Sequence, residues 1–218
     1  MALSDQDGSE ATRAAQIEET LEALNDLVRA GKVRYIGASS GSAWRMAQAL
    51  SCSERRGWAR FVSMQNHYNL MYREEEREMN PLCLDQGVAL IPWSPLARGF
   101  FARKRTTAPD LQSTKRAETD EFAQKFYFHE SDFAVAAAVD EVAKQRGVSP
   151  TQIACAWILQ APGVAAPIVG ATKIPHLKEL IATVDMTLSA EEIAAVEAPY
   201  QPHPILGHEQ PTGRKIGK

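Results

Sequence analysis

The sequence has little of what would mark several protein classes. It carries three cysteines in 218 residues, Cys52, Cys83 and Cys155, an odd number set far apart. They supply no disulfide framework and fit a reducing compartment, the cytoplasm. No apolar run approaches the roughly 18 residues needed to cross a bilayer, so no membrane segment is predicted. The segment from Met1 to Arg13 is polar and acidic, without the apolar stretch of a secretion signal. A basic excess is also missing: 24 Lys plus Arg stand against 27 Asp plus Glu, for a formal charge of −3. A nucleic-acid partner would call for the opposite balance. There is no Gly-x-Gly-x-x-Gly fingerprint, which argues against a Rossmann dinucleotide fold. There is no Gly-x-Ser-x-Gly elbow either, which argues against a serine hydrolase. His67, His129, His203 and His208 show no helical pairing and no nearby cysteine, so no metal ligands are assigned and His67 reads as structural.

What is present is a 44% hydrophobic chain, enough for a folded core. Residues 1–16 show no period and read as a disordered leader. From Ile17, the spacing of Leu21, Leu24 and Val28 puts apolar residues on one helix face, and Gly31 follows where a left-handed residue ends a helix. Val33, Tyr35 and Ile36 begin a β-prone run that closes on Ser39 and Ser40. The alternation then recurs. A helix is predicted over 44–55 and a strand over 61–65. A further helix is predicted over 73–86, kinked at Pro81, followed by a strand over 88–91. After a long polar stretch to residue 130, helices are predicted over 131–146 and from Ser149-Pro150-Thr151-Gln152, a capping-box start. A last strand is predicted to end at Pro167-Ile168-Val169-Gly170, followed by a helix over 174–184 and another capped by Ser189.

Strand alternating with helix implies an α/β class with a parallel sheet. The strand starts near 33, 61 and 88 lie 28 and 27 residues apart, the length of a βα unit, and a fourth falls near 166. Four strands leave two open edges, so self-association is expected.

Several of these segments, taken together, resemble the aldo-keto reductase family. They are Glu19–Leu24, Gly31-Lys-Val-Arg-Tyr-Ile-Gly-Ala-Ser-Ser40, Ser63-Met-Gln-Asn-His-Tyr-Asn69, Pro92-Trp-Ser-Pro-Leu-Ala-Arg-Gly99 and Pro167-Ile-Val-Gly-Ala-Thr-Lys173. The resemblance implies a partial (β/α)8 TIM barrel: its last four βα units, with the first four strands missing. It divides the chain into a leader (1–16), the C-terminal half of the barrel (17–207) and a flexible tail (208–218). It also implies NADP as cofactor and reduction of aldehydes or ketones to alcohols in the full-length form. Barrel ligands bind at the C-terminal ends of strands, where each motif falls. By resemblance, Ser39, Ser40 and Gln65 hold the nicotinamide carboxamide, whose acceptor and donors suit hydroxyls and an amide. Trp93 is the platform for the nicotinamide ring. Ser94, Leu96 and Arg98 pass under the pyrophosphate, with Arg103, Lys104 and Arg105 adding positive charge. Gly170, Thr172 and Lys173 open a helix whose N-terminus suits phosphate, Lys173 facing the 2′-phosphate, and His176 and Glu179 lie near the adenosine.

The resemblance places the proton-donating Tyr and its Lys, Asp and His partners in the first half of the barrel. Residues 1–16 supply no Tyr, Lys or His, so no catalytic residue is assigned. A carbonyl substrate is then expected only where that half is supplied. The alternative is a non-catalytic half barrel that binds NADPH or oligomerises. A complete enzyme of another α/β class, using Tyr68 or His67 as acid, is the third reading.

Overall fold

The computed structural model describes residues 10–102, 127 and 129–205. These fall into two compact units, each assembled from separate stretches of chain. Of the described residues, the first takes in 10–66, 76–90 and 205, and the second 67–75, 91–102, 127 and 129–204.

The first unit is a three-stranded parallel sheet with helical crossovers. Its order of elements is α1 (Glu10–Arg29), β1 (Ile36–Ser39), α2 (Ala43–Arg56), β2 (Phe61–Gln65), α3 (Met79–Asp85) and β3 (Ala89–Leu90). The strands pair in the order β1-β2-β3. Gly37 lies opposite Ser63, and Ser39 opposite Gln65. A Cβ at Gly37 would collide with the Ser63 side chain, so the close approach of β1 to β2 requires glycine. Ile17 and Leu21 of α1 are buried, with Asn25 beside them accepting a hydrogen bond from Ala59 N–H at 3.0 Å. The helix begins at Glu10, so residues 10–16, which carry no sequence period, form its first turns.

The predicted helix over 73–86 is two pieces: a 3-10 turn at Glu74–Arg77 and then α3. The break lies at Glu78 (φ −142°, ψ −48°) and not at Pro81. Pro81 stands in the first turn of α3, where its missing N–H had no intrahelical acceptor to lose.

The second unit is helical: α4 (Glu130–Arg146), α5 (Pro150–Gln160), α6 (Ile174–Ile181) and α7 (Ala190–Glu197). Val135, Val139, Ile153, Ala156 and Ile158 are buried in it. Ser149 caps α5 through a reciprocal box with Gln152, and its hydroxyl also donates to Glu179 of α6. Ser149→Ala is expected to lower the unfolding free energy by about 1 kcal/mol. Urea denaturation reads this directly; an unshifted midpoint would mean that the box adds nothing to stability.

The expectation of four parallel strands, as the last four βα units of a (β/α)8 barrel, is corrected here. Among the described residues the sheet has three strands. The segment expected to be the fourth makes an isolated parallel bridge, Trp93 to Ile168, with Ile168 N–H donating to Pro92 O at 2.8 Å. No helix among the described residues is long and apolar enough to cross a membrane.

Candidate functional site

In the first unit, Ser39 and Gln65 end adjacent strands and meet. The Ser39 hydroxyl donates to Gln65 O at 3.3 Å, and Ser40 N–H donates to the same carbonyl at 3.0 Å. Parallel pairing of β1 with β2 puts all three side chains at one end of the sheet, half-buried. The Ser39 oxygen spends its proton on this bond and keeps lone pairs that can accept.

In the second unit, Trp93, Ser94, Leu96 and Arg98 share one tight loop. Three of its non-glycine residues have left-handed backbone: Ser94 (φ 58°), Ala97 (φ 46°) and Arg98 (φ 54°). Such residues are strained by about 1–3 kcal/mol each and persist only where surrounding contacts enforce them. The contacts are explicit. Ser94 Oγ accepts from Arg98 N–H at 3.0 Å, and Ser94 O accepts from Ala97 N–H at 3.0 Å. Asn69 Nδ2 donates to Ser94 O at 3.0 Å from outside the loop. Arg98 is exposed and Trp93 half-exposed.

The rings behind Trp93 form a parallel stack. His67 lies 4.2 Å from Trp93 (10° between planes) and 4.3 Å from Tyr72 (13°). His67 Nε2 shares a hydrogen bond of 2.6 Å with the Tyr127 hydroxyl, which also accepts from Asn69 Nδ2 at 3.0 Å. Burial, helped by the positive charges of His203 and Arg98, pushes His67 down to about 3, so the ring is neutral at ordinary pH. Burial pushes the Tyr127 hydroxyl up to about 12, so it keeps its proton.

Gly170, Thr172, Lys173 and His176 are exposed around the start of α6. Lys173 is its N-cap residue and makes no side-chain cap bond there. Glu179 is engaged by Ser149. The Trp93–Ile168 bridge ties the segment before Gly170 to the Trp93 loop. The structure thus groups the expected residues as Ser39, Ser40 and Gln65 in one unit and the other nine in its own unit. Arg103, Lys104 and Arg105 lie outside the described residues.

Sequence reasoning passed over a second buried cluster in the same unit as Trp93. His203 Nε2 contacts Asp132 Oδ1 at 2.9 Å. Glu74 Oε1 accepts from His203 N–H at 2.8 Å and from the Tyr200 hydroxyl at 2.6 Å. Its members stand far apart in sequence, and no short motif announces them.

A parallel sheet with helical crossovers defines an α/β class. The aldo/keto reductase family model matches residues 5–201. The chain belongs to the aldo/keto reductase family. It is 46% identical over 191 residues to versiconal hemiacetal acetate reductase of Aspergillus parasiticus, covering 86% of this chain and 54% of that protein. An aldo-keto reductase of Fusarium vanettenii is 43% identical over 194 residues, covering 88% of this chain and 51% of that protein. The crystal structure of a thermostable aldo-keto reductase with the inhibitor epalrestat superposes with a TM-score of 0.63 at 28% identity. That match covers 84% of this chain and 54% of that one. These spans overturn the reading of four βα units beginning at Ile17. The family domain reaches back to residue 5 and takes in nearly the whole chain. The chain spans about half the length of the curated relatives it matches.

Proposed function

We propose that the chain binds NADPH and serves the reduction of aldehydes or ketones to alcohols. The observation that carries this reading is the strained Trp93–Gly99 loop, held in left-handed backbone by Ser94 and Asn69 while it presents Trp93 and Arg98. Strain retained at such expense marks a segment whose shape is used. The donor set fits the cofactor. Ser39, Ser40 and Gln65 offer the hydroxyls and amide that a carboxamide bonds, Trp93 a flat apolar face, and Arg98 a guanidinium for the diphosphate. Lys173, Thr172 and the N-terminal N–H groups of α6 suit the 2′-phosphate that separates NADPH from NADH. NADPH supplies the hydride in this chemistry; the residues named here hold and orient it. Buried thiols at Cys52, Cys83 and Cys155 suit a reducing cytoplasm.

Lys173→Ala is expected to weaken NADPH binding about tenfold and leave NADH binding unchanged, as for a lost charge-assisted phosphate contact. Titration calorimetry on the native and variant chains decides it. Equal losses for both nucleotides would remove Lys173 from the phosphate, and failure of the native chain to bind NADPH would end the reading.

A second reading, an NADPH-binding chain that associates with a second copy, is favoured by α6. Its Ile174, Leu177 and Ile181 share one face by spacing and are 71%, 44% and 59% exposed. Light scattering that returns the mass of a single chain would exclude it.

A further inference from the structure

The stack of rings behind Trp93 does more than fill space. A histidine is a poor choice for filler, because burying its polar nitrogens costs free energy that a phenylalanine would not. Here the ring is fixed in two ways at once. Tyr72 and Trp93 clamp its faces, and the Tyr127 hydroxyl holds its edge through Nε2 at 2.6 Å. Tyr72 is 0% exposed, Tyr127 2% and His67 3%, so none of the three has room to swing. Asn69 then joins this group to the strained loop: one amide nitrogen serves both the Tyr127 hydroxyl and Ser94 O, each at 3.0 Å. Asn69 is itself held, its Oδ1 accepting from Met71 N–H at 2.9 Å and Tyr72 N–H at 3.1 Å. The plane of Trp93 and the backbone just after it are thus set by one continuous network.

We infer that His67 is a positioning residue for the cofactor: held by Tyr72 and Tyr127, it fixes the plane in which Trp93 meets the nicotinamide ring. The inference rests on the NADPH reading and extends it to a residue that touches no cofactor atom. An indole free to tilt would still pack, but would not present one face at one angle. Orientation of that kind is what a preorganised site needs from its supporting residues.

The test uses the 218-residue chain with His67→Ala, His67→Phe and Trp93→Phe. The near-ultraviolet circular dichroism of Trp93, taken as native minus Trp93→Phe, reports the stack without cofactor. His67→Ala is expected to abolish that signal, and His67→Phe, which restores a flat ring, to recover most of it. In calorimetry, His67→Ala is expected to weaken NADPH about tenfold, the equivalent of one lost aromatic stack. Adenosine 2′,5′-bisphosphate, which lacks the nicotinamide, should bind as it does to the native chain, and His67→Phe should recover NADPH affinity. An unchanged Trp93 signal, or unchanged NADPH affinity, in His67→Ala overturns the inference alone. Equal loss of NADPH and the bisphosphate also overturns it, since His67 would then act only on folding. Failure of the native chain to bind either nucleotide overturns the functional reading and this inference with it.

Discussion

Asp132→Ala is expected to lower the unfolding free energy by about 3–5 kcal/mol, the range for breaking a buried ion pair by removing one partner. Asp132 is 0% exposed and its carboxylate has two duties. Oδ1 meets His203 Nε2 at 2.9 Å, and Oδ2 accepts from His129 N–H at 2.9 Å, closing the capping box of α4. Burial alone would push His203 down, but the hydrogen bond and charge of Asp132 outweigh it and lift the imidazole above its ordinary value. The sign follows. A histidine raised on folding contributes stability that is complete below the unfolded value of about 6.5 and lost as pH rises through the folded value. The penalty of Asp132→Ala is therefore largest at pH 6 and shrinks toward pH 9. Asp132→Asn loses the charge and one of the two acceptors but keeps an oxygen for one donor and the side-chain volume, so it is expected to cost less than Ala. Urea denaturation at the two pH values measures both variants. An Asn penalty near zero, or an Ala penalty that does not change with pH, would show that the pair is not ionic.

The rest of that cluster explains why this one carboxylate matters. Glu74 gathers His203 N–H and the Tyr200 hydroxyl. Arg73 pairs with Glu197 at 3.2 Å and lies over the Trp157 ring, while Trp157 Nε1 donates to Glu197 at 2.8 Å. The segment from Tyr200 to His203 is anchored by these polar contacts as much as by apolar packing. Burial and the Glu74 hydrogen bond raise the Tyr200 hydroxyl, so it stays a donor throughout the physiological range.

How much of this was legible in the sequence depended on the distance over which each signal acts. The caps at Ser149 and Ser189 are read correctly because a box closes within four residues. The strands β1, β2 and β3 are found because β-prone runs recur at a βα spacing, though their bounds shift by up to three residues. Pro81 looks like a kink and is harmless in a first turn, and the strand predicted to end at Pro167–Gly170 amounts to one bridge at Ile168. The candidate site is legible only through several motifs taken together, since Ser39 or Trp93 alone would pass for a strand end or a core residue. His203 with Asp132, 71 residues apart, is invisible to any local pattern. His67 reads as structural from its surroundings in sequence; its stacked partners Tyr72 and Trp93 become visible only once the chain is folded.

A loss of about 2 kcal/mol of stability is expected as pH falls from 6.5 to 4.5, and His67 is its source. The reference histidine titrates near 6.5, whereas burial and the charges of His203 and Arg98 hold His67 at about 3. Between those values the unfolded chain binds a proton that the folded chain refuses, so stability falls with falling pH at about 1.4 kcal/mol per unit. The physical obstacle is specific. Protonating His67 would put a charge on a ring only 3% exposed, with the positive charges of His203 and Arg98 opposing it. His67→Phe removes the titrating group while keeping a ring between its neighbours, and its stability is expected to be nearly flat over this window. His203 acts in the other direction, losing its contribution as pH rises above 6.5, so the native chain is expected to be most stable near the point where the two slopes meet. Thermal unfolding followed from pH 4.5 to 9 tests both arms. A native profile that stays level below pH 6.5, or an acid loss that survives in His67→Phe, would show that the neutral stack is not what acid disrupts.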